Sequence, residues 1–503
     1  MRSREKKKSK NSFGSPCPET PPTIVRMTAE KGRGKSVVWF RKDLRLNDNP
    51  ALARVLASGK EIVPVFVWDD EEGGEWKPGS ASRLWLHHAL NSLSESIGKL
   101  GGRLILAKGK PAKTLPLIAR KNQAEEVLYG RAYDPVGLAT QQAVEEALDS
   151  AGLRSESFNA SLLNEPWEIK NLSERPFQVF TPYWKKARSG IHRKPEFYQP
   201  EKLSFADANG SSLKTDALEL VPDHPWTEKV ARHWEISESA GMALIERTAT
   251  QIAGTYSTLR DLPGQDGTSR LAPYLAWGLV SPRQVCQAIL QVHPEGDDAS
   301  SQVYLSEIGW REFSYHLLYH FPSIPNEPLR PKYGHFPWLS DNKALRKWQS
   351  GQTGYPMVDA GMRQLYETGW MHNRVRMVVA SFLVKHLLIS WKEGARWFWD
   401  NLVDADLASN TQGWQWAAGC GADAAPYFRI FNPITQGEKF DPQGKYARHW
   451  IPELGKIPDS LIFRPWEAPP ELLSGSADHY PSPCINHPEA RARALGALST
   501  LKA

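Results

Sequence analysis

Cysteine is scarce in this chain. Only Cys17, Cys286, Cys420 and Cys484 occur in 503 residues, far apart and with no C-x-x-C pair. A disulfide framework and a zinc ribbon are therefore not expected, nor is any other metal site. A reducing, intracellular compartment fits: the cytoplasm in a bacterium, the nucleus or an organelle in a eukaryote. Long apolar runs are missing too. Nothing approaches about 18 consecutive uncharged apolar residues, so no membrane-spanning helix is expected, and no secretory signal core follows Met1. No G-x-G-x-x-G follows the first strand-like run, which removes an ordinary dinucleotide fingerprint and an obvious dehydrogenase. Bulk positive charge is also lacking outside the N-terminus. The net charge is +6, but residues 1–35 carry ten Lys/Arg against three Asp/Glu, which leaves −1 for the other 468 residues. Charge alone does not argue for nucleic acid; any basic surface must be local.

What remains is a globular composition, 41% hydrophobic and 23% charged, with room for two to four domains. The unusual number is 20 tryptophans, nine of them between Trp310 and Trp416. An aromatic-rich core accounts for that density. Stacking surfaces and an electron path are the sharper alternatives.

Residues 1–35, rich in Lys, Arg, Ser and Pro, read as a disordered basic tail. Residues 36–165 alternate strand and helix signals: Val37–Phe40, Ile62–Trp68, Leu104–Leu106 and Val127–Tyr129 as buried strands, Ala51–Leu56 and Ser82–Leu100 as helices. That alternation predicts a doubly wound parallel sheet, Rossmann-like in layout. Residues 166–235 read as a linker draped over the surface, and 236–503 as an all-helical domain.

Four constellations carry chemistry. Glu307, Trp310, Arg311 and Ser314 fall on one helical stripe, either a salt-bridged surface or a pocket wall. The helix opening His372-Asn373-Arg374-Val375-Arg376 sets two cations against the helix dipole, which asks for a ligand or a partner such as Asp404 or Asp406. Gly267–Pro273 is a hydroxyl-rich turn that suits a phosphate or a plain helix cap. Trp414 and Trp416, two apart, must point to different neighbours.

Together these pieces resemble the photolyase/cryptochrome family of flavoproteins over about residues 36–470. The motifs that carry the likeness are Val37–Arg45, Gly267–Pro273, Trp310–Phe313, Thr353–Pro356, Trp370–Arg374, Asp404–Asp406, Trp414–Trp416 and Ala425–Pro433, in family order. The resemblance implies flavin adenine dinucleotide (FAD) bound in the helical domain. Its cofactor positions match Tyr256, Thr268, Ser269, Arg270, Leu271, Ala272, Tyr304, Glu307, Arg311, Asn373, Arg376, Asp404, Ala405, Asp406 and Asn410. Ala272 stands where the family usually has Ser, and Tyr304 where class I photolyases commonly have Trp. The family's partner is ultraviolet-damaged DNA. Arg260, Glu307, Trp310, Asn373, Arg374, Met377, Trp416 and Arg429 match DNA-contacting positions, with Glu307, Trp310, Asn373, Asn410 and Trp416 at the reacting centre. Trp338, Trp391 and Trp414 match a light-driven electron chain. The α/β domain is expected to carry an antenna pigment, a methenyltetrahydrofolate or alternatively a deazaflavin, at a site no motif marks. The implied activity is a monomeric deoxyribodipyrimidine photo-lyase. The alternative is a cryptochrome-type blue-light receptor, against which Asn410 and Trp416 speak, since plant cryptochromes place Asp and Tyr there. A (6-4) photolyase would need a His pair that His372 alone does not supply.

Overall fold

The structure, a computed structural model, describes residues 34–196, 198–207, 212–295, 298–424, 426, 427, 429–473 and 480–502. The basic tail therefore lies outside the described residues except for Gly34 and Lys35, and Lys35 already belongs to the first strand.

The strands are β1 (Lys35–Phe40), β2 (Glu61–Trp68), β3 (Ile105–Lys108), β4 (Glu126–Gly130) and β5 (Arg154–Phe158). All pair in parallel, in the order β3-β2-β1-β4-β5. Period-two geometry sorts β1 cleanly. Val37 and Trp39 face one core layer with Leu115, Ala119, Val144 and Leu148, while Val38 and Phe40 face another with Leu52, Val55 and Leu90. A sheet covered on both faces explains why its central strands read as unbroken apolar runs. The covering helices are α1 (Pro50–Ser58), α2 (Ser80–Lys99), α3 (Pro111–Lys121) and α4 (Pro135–Ser150). α1 starts at Pro50 because Asn49 caps it, its side chain accepting from the N–H groups of Ala51 and Leu52.

The segment expected to drape over the surface is tied down instead. Ile62 N–H donates to Ser204 O and Ala206 N–H to Ile62 O, extending the sheet by one bridge. The segment forms α5 (Phe180–Ala187) and α6 (Trp226–Ala231). The chain just before it is anchored by Glu312, whose buried carboxylate accepts from the N–H groups of Leu163 and Asn164 at 2.8 and 3.1 Å. Burial pushes the Glu312 carboxyl up to about 7, against the pull of Arg311. The folded protein thus holds a proton that the unfolded chain releases, so this group makes stability fall as pH rises from about 4.5 to about 7. Glu312→Gln, which keeps an acceptor oxygen, is expected to flatten that part of a urea-midpoint-against-pH curve. An unaltered slope would show that another group sets it.

The helical half comprises α7 (Glu238–Arg247), α8 (Tyr256–Leu259), α9 (Ala272–Ala276), α10 (Pro282–Val292), α11 (Ala299–His320), α12 (Asn342–Gln349), α13 (Pro356–Thr368), α14 (Asn373–Ser381), α15 (Trp391–Asn401) and α16 (Leu407–Ala418), with further short helices beyond. The core layer under β1 continues without a break into this half through Leu271, Tyr274, Trp277, Leu305 and Ile308.

The loop after β1 fastens the halves together. Leu44 N–H donates to Trp277 O. Arg45, with no exposed surface, donates to the carbonyls of Asp48, Gly278 and Ala160 at 2.7, 3.0 and 2.8 Å. Asp48 in turn takes the Ser281 hydroxyl and the Arg283 guanidinium. Gly278 is required here: its φ is +67°, and a β-carbon would come within 2.1 Å of Lys42 O.

Among the sequence motifs, Thr353–Pro356 proves structural. Asp359 accepts from Thr353 N, Thr353 Oγ1, Gly354 N and the Tyr480 hydroxyl, and Tyr355 donates to Ile485 O. The motif staples the C-terminal segment to α13.

Candidate cofactor and substrate site

The site grows from four helices. α11 packs on α8 and α16, and α14 packs on α16. The entry to α8 is irregular, with a π-helical turn at Thr248–Ile252 and a 3-10 turn at Ala253–Thr255 before Tyr256. Such departures from the α-helical ladder rotate the side chains that follow and recur at functional sites.

Tyr256 and Tyr304 meet edge to face at 4.9 Å, and the Tyr304 hydroxyl donates to Ser269 Oγ at 2.8 Å. Burial raises both phenols, so both stay protonated at neutral pH. The Gly267–Pro273 turn does not act as a plain cap: α9 begins at Ala272 with Leu271 before it and no side-chain cap. Arg270 has a φ of +56° and reaches over the Trp370 ring at 5.4 Å, while Thr268 is half-buried beside Ser269.

The two cations that oppose the α14 dipole both find carboxylates. Arg376 lies 2.7 Å from Asp404 Oδ2 and also donates to Met371 O. Arg374 lies 2.6 Å from Asp261, a residue the sequence did not single out. Asp404 Oδ1 is buried with no partner, as is His372 Nε2. Burial brings His372 down to about 4, so its ring is neutral; Nδ1 accepts from Arg374 N–H and Nε2 carries the hydrogen. Asp404 Oδ1 is thus an acceptor, and His372 Nε2 a donor, left for a group from outside the chain.

Asp406 caps α16 by accepting from Ser409 N–H, and its other oxygen takes the Tyr315 hydroxyl at 2.5 Å. Arg311 lies over the Tyr315 ring and donates to Ser161 O, so it turns toward the end of the α/β half rather than along the wall of Glu307. Asn410 donates to Ala395 O, and Ala405 is half-buried.

On the outer side Glu307 Oε1 lies 2.6 Å from Arg260 Nη1. Burial pushes the Glu307 carboxyl up and Arg260 pulls it back. Trp310 stacks on Phe180 with centroids 3.8 Å apart and planes 9° from parallel; Phe180, from the connector, is a second residue the sequence did not reveal. Asn373 is exposed, and Met377 and Trp416 are half-buried. Arg429 is exposed, resting over Phe431; Ala425 and Phe428 of that motif lie outside the described residues.

Trp414 points inward, edge-on to Phe398 at 4.9 Å and to Trp348 at 6.2 Å. Gly394 makes room for it, since a β-carbon there would come within 2.0 Å of the indole. Trp391 is buried, and Trp338 is half-buried against Phe336.

A concavity lies at the C-terminal ends of β1, β2 and β4, where the strand order reverses from the β1 side to the β4 side, the usual ligand crevice of an open parallel sheet. Trp39, Trp68 and Trp76 from the first half and Trp277 and Trp399 from the second line it, with Asp43, whose carboxyl is raised by complete burial.

Residues 304–500 match the family described as the FAD binding domain of DNA photolyase, and residues 36–201 match the DNA photolyase family. Fold and site thus define a protein whose parallel α/β half is joined to a helical, FAD-binding half. The chain is 42% identical over 473 residues to a deoxyribodipyrimidine photo-lyase of Agrobacterium fabrum, covering 93% of this chain and 98% of that one. It is 38% identical to Cryptochrome-2 of Arabidopsis thaliana over 92% of this chain and 79% of that one. The crystal structure of a bacterial class III photolyase from Agrobacterium tumefaciens superposes with a TM-score of 0.88 at 40% identity, covering 95% and 100% of the two chains. The chain belongs to the photolyase/cryptochrome family, and within it is most like the class I and class III cyclobutane pyrimidine dimer photolyases.

Proposed function

We propose that this chain is a DNA repair enzyme that splits cyclobutane pyrimidine dimers under blue light. The observation that carries the reading is the arrangement around α11: Glu307 and Trp310 one turn apart, the carboxylate beside Arg260 and the indole held flat against Phe180. A flipped dimer asks for those groups: a stacking plane, a hydrogen-bonding carboxyl and a cation for the kinked backbone. Extrusion costs a few kcal/mol and is cheapest at damaged steps. A ring stack returns about 1–3 kcal/mol per base, with Trp310 and Trp416 in that role and Asn373 and Met377 filling the pocket. Arg260, Arg374 and Arg429 take backbone phosphates, so binding weakens with salt.

The residues around Asp404 would hold the FAD. Asp404 and Asn410 would serve its ring system, Tyr256, Thr268, Ser269, Arg270, Leu271 and Ala272 would take its phosphates, and Arg376 holds Asp404 in place through their 2.7 Å ion pair. Reduced FAD, when bound and photoexcited, supplies the electron that opens the cyclobutane ring and takes it back. Glu307 serves that chemistry by hydrogen-bonding the charge that develops on the dimer. A hydrogen bond to a charged group is worth about 1.5–3 kcal/mol, so Glu307→Ala is expected to keep its flavin and lose repair quantum yield several-fold. An unchanged yield would remove the role.

The tryptophan-lined crevice of the α/β half supports an antenna pigment there, a folate or a deazaflavin. A near-ultraviolet absorption band released with the flavin on denaturation, and lost in a crevice variant such as Trp39→Ala, is the expected result; a pigment retained by that variant sits elsewhere. Among the described residues no helix is long and apolar enough to cross a membrane, and a DNA-facing pocket within one chain fits a monomer.

The testing experiment reduces the flavin anaerobically, adds ultraviolet-damaged oligothymidine and follows thymine absorbance under blue light against a dark control. Light-dependent recovery supports repair. No recovery from a flavin-loaded, photoreducible protein favours the second reading, a blue-light receptor, which the likeness to Cryptochrome-2 keeps in view.

A further inference from the structure

The two cations assigned to the lesion strand at the mouth of α14 are already engaged in the protein. Arg374 Nη2 lies 2.6 Å from Asp261 Oδ2, and Arg260 Nε lies 3.9 Å from Asp261 Oδ1 while its Nη1 holds Glu307. One acidic side chain therefore stands between both arginines. Local structure puts it there. α8 stops at Leu259 with Arg260 closing the turn, and Asp261 follows at once, aimed back at the opening turn of α14. Each guanidinium also rests on a ring, Arg260 over Tyr256 at 5.1 Å and Arg374 over Phe440 at 4.5 Å. The ring fixes the plane of each cation and the carboxylate fixes its reach.

The four charged side chains are 17–33% exposed, so their pairing is only partly screened by water. A phosphate of intact duplex passing over this surface meets cations whose charge is largely spent. Only a strand drawn down toward Glu307 brings its phosphate close enough to replace a carboxylate on the guanidinium. That closer approach is available to a flipped-out lesion and not to a stacked base pair.

We infer that Asp261 is a specificity-determining residue of this site, holding Arg260 and Arg374 in ion pairs that the phosphates of a flipped lesion displace and those of intact DNA do not. The inference rests on the repair function proposed for the same site. Asp261 touches no base; it is a positioning residue that acts through the two arginines. Its effect is a subtraction: it suppresses sequence-independent electrostatic binding, the term that otherwise dominates contacts with phosphate.

The test uses the full-length, flavin-loaded protein and compares Asp261→Asn and Asp261→Glu with the parent. Dissociation constants are measured for an undamaged duplex and for the same duplex carrying one thymine dimer, across a salt series. Asp261→Asn frees Arg374 alone, since Arg260 stays on Glu307, and one freed cation adds about 0.9 to the slope of log affinity against log salt, close to tenfold at about 0.1 M salt. Asp261→Asn is expected to bind undamaged duplex about tenfold more tightly, with the steeper slope, and dimer-containing duplex more tightly by a smaller factor, the cost of breaking one partly exposed ion pair. Its preference for damage should shrink accordingly, and Asp261→Glu should keep the parent's preference. Equal weakening on both DNAs with an unchanged slope would make Asp261 merely a structural support and overturn the inference. So would a parent preference that survives intact in Asp261→Asn. A parent with no preference for damaged DNA overturns the repair reading itself, and this inference with it.

Discussion

Trp414→Phe is expected to abolish light-driven reduction of bound oxidised flavin while leaving repair by the chemically reduced protein intact. The indole is 2% exposed and packed edge-on to Phe398 and Trp348, so a phenyl ring fits the same slot and leaves only a small void. What changes is chemistry: a phenyl ring is far harder to oxidise than an indole. If Trp414 is the first donor of the proposed chain with Trp391 and Trp338, the bleaching of the yellow absorbance under blue light disappears, and dithionite-reduced variant still clears dimers. Photoreduction at the parent rate would place the electron path elsewhere. The converse change tests the packing. Gly394→Ala drives a methyl group into the Trp414 ring, and it is expected to lower both stability and photoreduction because the indole must move.

The second large effect concerns stability. Arg45→Met removes a guanidinium that serves three backbone carbonyls on three separate segments and lies beside the Asp48 carboxylate. The thioether fills part of the space but leaves those acceptors buried without donors. Losing one member of such a buried charged set costs about 3–5 kcal/mol, enough to lower the urea midpoint sharply and to reduce the yield of flavin-loaded protein. Arg45→Lys is expected to recover little, because one ammonium cannot span carbonyls that a planar fork reaches in different directions. A midpoint within error of the parent in Arg45→Met would show that the loop is not what joins the halves.

The sequence made some of this molecule readable and hid the rest for identifiable reasons. β1 and β2 were legible because a strand covered on both faces is an apolar run. β5 was not: it is one of two edge strands, its sequence Arg-Ser-Glu-Ser-Phe is exposed over the first three residues, and nothing in it alternates. α14 ends at Ser381 and passes into a π-helical turn at Phe382–His386, a departure that apolar spacing does not record. At the site, the dipole conflict at the start of α14 rightly called for carboxylates, and Asp404 was named. Asp261 was not, because its partner Arg374 lies 113 residues away and neither position carries a local pattern. Phe180 was invisible for the same reason, a phenyl ring in a connector whose role appears only when α11 brings Trp310 against it. The hydroxyl-rich turn shows the opposite error: as a plain cap it was over-read, since its hydroxyl serves Tyr304 across the fold.

The loop after β1 also sets a timetable for the growing chain. Arg45 leaves the ribosome 233 residues before Gly278, whose carbonyl it needs. At about 5–20 residues per second that is a wait of roughly 10–50 seconds. During that interval the sheet can assemble while its charged loop stays hydrated and the apolar surface meant for Trp277 and Leu305 stays open. The nascent α/β half therefore carries uncovered apolar surface until the second half arrives. Slowing translation between residues 160 and 280 should lengthen that exposure and depress the soluble yield.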